Sequence, residues 1–225
     1  MRILLSLFFC IVTVTTFAQP GKLLYASDFI PPRPGDEWVL ELEPGKGSRV
    51  STRNGVMTIE SKGGATVWLN QLLKGNLQIE FTRRVLVEGQ TNDRLSDFNQ
   101  FWMASDPRHH SMFTGRLGRF HEYDSLKLYY VGMGAHDNKV TRFRKCDGKG
   151  NKRILGETKQ PQFLLEPGRD YRIRIMVIDG VTTFWVDDKL AFSYVDPEPL
   201  KEGYFGFRLL HSRQEIRDVK VFQLP

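Results

Sequence analysis

Two arginines spaced two apart are the first residues in this chain whose types and spacing suggest chemistry. In the segment Val140–Cys146, Arg142 and Arg144 fall on one face of an extended strand, and Thr141, Phe143 and Lys145 fall on the other. If Phe143 faces a core, both guanidiniums face away from it. A guanidinium makes planar, two-pronged hydrogen bonds to a carboxylate such as that of a uronic acid. In Leu126–Val131, Leu126, Leu128 and Tyr130 share one face, and Lys127, Tyr129 and Val131 share the other, more polar one. The polar face is expected to turn the same way as the arginines, so that Tyr129, Arg142 and Arg144 line one groove. A plain solvated sheet face is the alternative, because exposed faces of antiparallel sheets are commonly charged.

Such a set suits β-elimination of a polyuronate. That reaction needs a group that neutralises the carboxylate, a base for the C5 proton and an acid for the leaving oxygen. Arg142, Arg144 and Asn99 fit the first role, and Tyr129, His121 and His211 are the candidates for moving protons. Trp102 is the candidate apolar platform for a sugar ring. It lies three residues from Asn99, so a regular strand puts the two on opposite faces unless a bulge intervenes. Hydrolysis with retention would instead need two carboxylates about 5 Å apart. Asp93 and Asp97 flank a short turn and Asp97 opens a strand, sharing its face with Asn99. The plainer reading of both is turn chemistry, since Asp bonds its own backbone there.

Other chemistries find little support. The five histidines, His109, His110, His121, His136 and His211, show no metal spacing of the H-E-x-x-H kind. Gly132-Met133-Gly134 precedes no helix and so is not a phosphate loop, and no G-x-S-x-G elbow is present. No cofactor is implied. Oxygen ligands for a structural Ca²⁺ would come from Asp28 and Asp218 if the first and last strands pair, but two residues do not commit the site. The net charge is +6, yet the Lys and Arg residues are scattered without a dense run. That pattern speaks against nucleic acid and for an anionic glycan.

Residues 1–18 read as a secretory signal. Arg2 supplies the positive start, Ile3 to Val14 the apolar run, and Thr16-Phe17-Ala18 the cleavage site. Two Phe precede Cys10, unlike a lipoprotein signal. A periplasmic or extracellular location is expected, with one domain over residues 19–225 and no membrane attachment after cleavage. Cys146 is then the single remaining cysteine, so no internal disulfide forms.

The elements that must position these residues are strands. No segment of ten or more residues carries apolar positions at helical spacing with credible caps. Thirteen short β-branched and aromatic runs do appear: Leu23–Phe29, Trp38–Glu43, Val56–Ser61, Ala65–Asn70, Leu77–Glu88, Asp97–Ser105, Leu126–Gly132, Lys139–Lys145, Tyr171–Ile178, Val181–Val186, Leu190–Val195, Tyr204–His211 and Ile216–Leu224. Asn54-Gly55 and Asp179-Gly180 are hairpin turns. Pro31–Pro34 and Pro197–Pro199 read as loops crossing between sheets. Spacing of this kind predicts a two-sheet antiparallel sandwich. The polar, irregular stretch Asp106–Asp124 is expected to be functional or mobile.

The C-terminal Glu202-Gly203-Tyr204-Phe205-Gly206-Phe207-Arg208, followed by Val219-Lys220-Val221-Phe222, resembles the end of concanavalin A-like lectin/glucanase jelly rolls. Leu23-Leu24-Tyr25 with Ser27-Asp28-Phe29 and Trp38 is similar to their first strand. With Asn92 to Ala104, Tyr129 to Gly132 and Thr141 to Arg144, the chain is similar to a bacterial secreted family of unknown function found beside polysaccharide-degrading enzymes. The E-x-D-x-x-E strand of many glycosidases of this superfamily is absent. The resemblance implies an all-β jelly roll and extracytoplasmic glycan handling. The candidates are a hydrolase or lyase with a groove on the concave sheet, a non-catalytic carbohydrate-binding protein, and a structural protein of the envelope.

Overall fold

The computed structural model describes residues 21–27, 29, 36–96 and 98–225. The proposed signal, Asp28, Pro31–Pro34 and Asp97 lie outside the described residues. Fourteen antiparallel strands follow in order. They are β1 (Lys22–Ser27), β2 (Trp38–Leu42), β3 (Arg49–Arg53), β4 (Val56–Leu69), β5 (Leu73–Lys74), β6 (Leu77–Val85), β7 (Phe98–Ser105), β8 (Lys127–Gly134), β9 (Val140–Asp147), β10 (Lys152–Thr158), β11 (Asp170–Ile178), β12 (Val181–Val186), β13 (Lys189–Val195) and β14 (Glu202–Gln223).

Two long strands organise the rest. The first half of β14 pairs with β7 on one side and the end of β4 on the other, and its second half pairs with β6, β1 and the start of β4. Both strands change layer at one place, where the β14–β4 register slips between Leu210 and Ser212 and His211 takes a φ of 46°. Strands that switch sheets at a bulge make the corners of such sandwiches. One layer therefore runs β10-β9-β8-β7-β14-β4-β2 and the other β13-β12-β11-β6-β14-β4-β3, with β1 also on the latter β14 segment. The sequence expectation split β4 and β14 into two strands each, because Gly63-Gly64 and His211 interrupt the alternation at this corner.

Aromatic rings join the layers. Phe207 on β14 meets Phe81 on β6 with ring centroids 4.9 Å apart, Trp102 on β7 meets Phe184 on β12 at 6.4 Å, and Phe143 on β9 meets Phe192 on β13 at 5.8 Å. The Gly-aromatic motif acquires a reason. Phe205 and Phe207 both point into this core, while Gly206 between them faces outward, where a Cβ would stand 2.4 Å from the Trp68 ring. Burying rings of this size contributes on the order of 2–3 kcal/mol each. β3 and β10 went unread in the sequence since both are charged, half-exposed edge strands, as edges commonly are.

The segment from Asp106 to Leu126 is a packed flap. It includes a 3₁₀ turn at Phe120–Tyr123 and lays Met112, Tyr123 and Leu126 on Trp68, Phe101, Leu128, Tyr130 and Cys146, on the outer side of the first layer. Strand β8 is thus apolar on both faces. This corrects the placement of Tyr129. It points into the core, stacked 5.9 Å from Trp102, and the residue that joins the arginines is Tyr130.

Candidate functional site

On the outer face of the first layer, the strand registers align one row of side chains across seven strands. The row reads Glu157 (β10), Arg142 (β9), Gly132 (β8), Asn99 (β7), Arg208 (β14), Thr66 (β4) and Glu41 (β2). Gly132 has no side chain to fill its place, so the row dips there. The next row holds Arg144 beside Tyr130. Together they floor a cleft of about 220 Å³ between the flap residue Phe120 and the β8–β9 turn that carries His136.

The charges in the cleft are tied in place. Arg142 donates from Nε to Glu157 Oε2 at 2.5 Å, and its Nη1 meets His136 Nε2. That bond from Arg142 holds the Glu157 carboxyl below the usual carboxylate range. Arg144 donates from Nη1 to the Tyr130 hydroxyl at 2.9 Å, while its Nε is buried with no hydrogen-bond partner among the described residues. Arg208 is 2% exposed, lies 4.6 Å over the Phe120 ring and donates to the Gly118 carbonyl at 3.4 Å. Asn99, 5% exposed, sits between Arg208 and Gly132. Three guanidiniums surrounding a polar floor suit an anionic, hydroxyl-rich ligand. No carboxylate is among the described residues lining this cleft.

Arg142, Arg144 and Asn99 are therefore brought together; alternation implied this for the two arginines and left open which of Asn99 and Trp102 would face them. The other candidates are elsewhere. Trp102 is in the core, on the opposite face from Asn99. The Tyr129 hydroxyl donates to Asp196 Oδ2 and accepts from the Leu200 amide at 3.2 Å, in a cluster completed by Lys145, whose Nζ is 2.6 Å from Asp196. Burial, followed by the Asp196 contact, pushes the Tyr129 hydroxyl above its ordinary value. His121 lines a separate, open depression with Arg108, Glu122 and Lys149. His211 lies at the layer switch. Asp93 closes a turn by accepting from the amides of Glu88 and Gln90, and its carboxylate pairs with Arg213 at 2.8 Å. The Ca²⁺ suggestion gains nothing here, since Asp218 is exposed beside Arg217 and no group of three metal-ligating side chains exists among the described residues.

Sequence reasoning missed Tyr130, His136, Phe120, Arg208 and Glu41. Arg208 alternates with the core residues Phe207 and Leu209, so its outward face was readable. Nothing local marks His136.

The family model described as a domain of unknown function, DUF6250, matches residues 59–219. The chain belongs to the DUF6250 family. No curated protein sequence matches it. Among solved structures, the chain is similar to a protein of unknown function with a galectin-like fold from Bacillus subtilis, at 17% identity and a TM-score of 0.73, covering 92% of this chain and 98% of that one. It is also similar to the carbohydrate-binding module CBM66 from Bacillus subtilis, at 11% identity and a TM-score of 0.59, covering 83% and 96%. A third likeness is to a LamA variant from Z. galactanivorans in complex with laminaritriose and laminaritetraose, at 11% identity and a TM-score of 0.60, covering 90% and 99%. The all-β, concanavalin A-like sandwich expected from the sequence is thereby established.

In this DUF6250 domain the flap is pinned by a buried ionic cluster at the closed end of the row. Glu41, 3% exposed, accepts from Trp68 Nε1 at 2.9 Å and from the Tyr123 hydroxyl at 2.8 Å, and pairs with Arg116 at 3.0 Å. Arg116 also reaches Asp106 at 3.5 Å and the Met112 carbonyl at 2.6 Å. Burial and the Glu41 charge push the Tyr123 hydroxyl far above its ordinary value, so it stays a donor.

Proposed function

We propose that this protein binds a uronate unit of an acidic glycan in the cleft and cleaves the glycan by β-elimination. The observation that carries the reading is the convergence of Arg142, Arg144 and Arg208 on the recess above Gly132 and Asn99. The guanidiniums and Asn99 hold the carboxylate and draw charge from it, which acidifies the C5 proton. Once the ligand carboxylate draws Arg142 away, the released His136 Nε2 takes that proton, the C5–H pair becomes the C4=C5 double bond, the C4–O bond breaks, and the Tyr130 hydroxyl protonates the leaving oxygen. Hydrolysis fits less well. It needs two carboxylates, and Glu157 at the rim is engaged by Arg142. The fold shared with a carbohydrate-binding module and an oligosaccharide complex supports a sugar ligand.

The test is incubation with a panel of uronate-containing glycans, reading the ultraviolet absorbance of the unsaturated product and, in parallel, binding. Product formation supports the lyase; absence of both binding and product from every uronate refutes the reading. Saturable binding without product leaves a carbohydrate-binding protein, a second reading favoured by the depth of Tyr130, which is only 4% exposed. The proposed site of action is the periplasm or the exterior, reached through the signal at residues 1–18. A mature N-terminus at Gln19 would support that route, and an intact leader on the recovered protein would refute it.

A further inference from the structure

We infer that the cleft takes the end of a glycan chain and excludes internal units. The inference rests on the uronate reading above and concerns how the ligand enters. A unit inside a polymer needs two exits, one for the chain on each side, and among the described residues the row of side chains that floors the cleft is covered at one end and open at the other.

The closed end is built by the flap. Beyond Arg208, the row passes through Thr66 to Glu41, and both are fully covered. The Gly118 carbonyl is seated directly on Gly64, so closely that a Cβ there would lie 2.0 Å from its oxygen. Phe120 stands where the cleft ends, with Arg208 at 4.6 Å and Lys152 at 4.0 Å from its ring centroid. The Glu41–Arg116–Asp106 cluster ties the flap down from beneath. A buried charge cluster of this kind opposes opening, because lifting the flap would take Arg116 and Tyr123 from Glu41 and leave it only Trp68. Along the strand direction, His136 of the β8–β9 turn stands on the other side, set against Arg142, with the exposed Leu210 at the rim.

The remaining direction leads over β9 and β10, where Ile154 and Glu157 are exposed. Size agrees with one unit. The cleft's 220 Å³ is below the roughly 300–1,000 Å³ of pockets that enclose drug-sized ligands. A single sugar ring with its carboxylate fits that space, with the rest of the chain running out past Glu157.

The experiment is a calorimetric titration of the intact protein with galacturonate, glucuronate and mannuronate oligomers from the disaccharide upward, and with the matching polymers. The expected result is an affinity per chain that stays flat with length, and a stoichiometry on polymers that follows the molar concentration of chain ends. Affinity rising by about tenfold or more from disaccharide to longer oligomers, or binding in proportion to polymer mass, would overturn end recognition while leaving the uronate cleft standing. Absence of binding to every uronate would overturn both.

Discussion

Arg144 and Tyr130 face each other across the β8–β9 ladder, and the guanidinium donates to the phenol oxygen at 2.9 Å. Accepting that bond orients the Tyr130 hydroxyl at the floor of the cleft, and it fixes the guanidinium plane. Replacing Arg142 or Arg144 with Ala should weaken uronate binding by about 10- to 100-fold, the equivalent of losing one charge-assisted hydrogen bond. Lys at either position should restore little, since a point charge cannot present the two-pronged fork. Titration of the folded variants reads this out, and unchanged affinity would refute the placement of the ligand.

The adjacent tyrosines should separate chemistry from stability. Tyr130→Phe removes the hydroxyl from the cleft and should abolish product formation with a small change in unfolding midpoint. Tyr129→Phe leaves Asp196 short of a buried donor and should cost about 1–3 kcal/mol of stability. Turnover of the surviving folded fraction should be normal. Denaturant melts and turnover on the same two samples check both halves.

Glu41→Gln keeps the shape of the buried cluster but removes its charge, leaving Arg116 with only the longer ion pair to Asp106 beneath the flap. Breaking a buried ion pair from one side costs about 3–5 kcal/mol. The expected outcome is a large drop in the urea midpoint, and a drop within error would mean that the flap is held by its apolar contacts alone.

Cys146 reports on the same flap from below. It is buried against Leu128 and Tyr130, and burial pushes its thiol up to about 12. The native protein should therefore resist thiol-reactive dyes at mildly alkaline pH and react fully in denaturant. Labelling at a rate that tracks flap opening, faster in Glu41→Gln than in the unaltered chain, is the expected pattern.

Acid should unfold this protein through its paired carboxylates. The Arg84 hydrogen bond, joined by Arg217, holds Asp170 below its ordinary 3.8. At Asp93 and Asp196 burial pushes upward, but the bonds from Arg213 and from Lys145 and Tyr129 outweigh it. Folded values below unfolded ones mean that the stabilisation is complete above about pH 4 and is lost as pH falls through the folded values. Urea midpoints should be level from neutrality down to that point and fall steeply below it.

Much of the fold was legible because strands alternate. Phe143 inward fixed Arg142 and Arg144 outward, and the three-residue spacing put Asn99 and Trp102 on opposite faces, as the structure has them. The alternation failed at β8 for a physical reason. Pattern reading assumes that one face meets water, but the flap gives Leu128 and Tyr130 a second apolar environment, so the face that carries them reads as the core face. The flap itself has no periodicity to read; its position depends on Arg116 finding Glu41, seventy-five residues away in the chain. His136 enters the cleft only through the geometry of a turn whose residues take left-handed φ values.

The two-layer course of β14 has a consequence for how the chain acquires its structure. This 22-residue strand is the spine of both sheets, yet it follows every other strand in the sequence, and its partners reach back to β1 at Lys22. Until β14 arrives, β7 and β6 each lack an inner neighbour and the hairpins before it remain a string of unjoined pieces. Pairings this distant make for a high contact order, and folding in milliseconds to seconds is expected for such topologies. The groups β2-β4-β3, β7 to β10 and β6-β11-β12-β13 can pair among themselves, but β14 is what joins them into two complete layers.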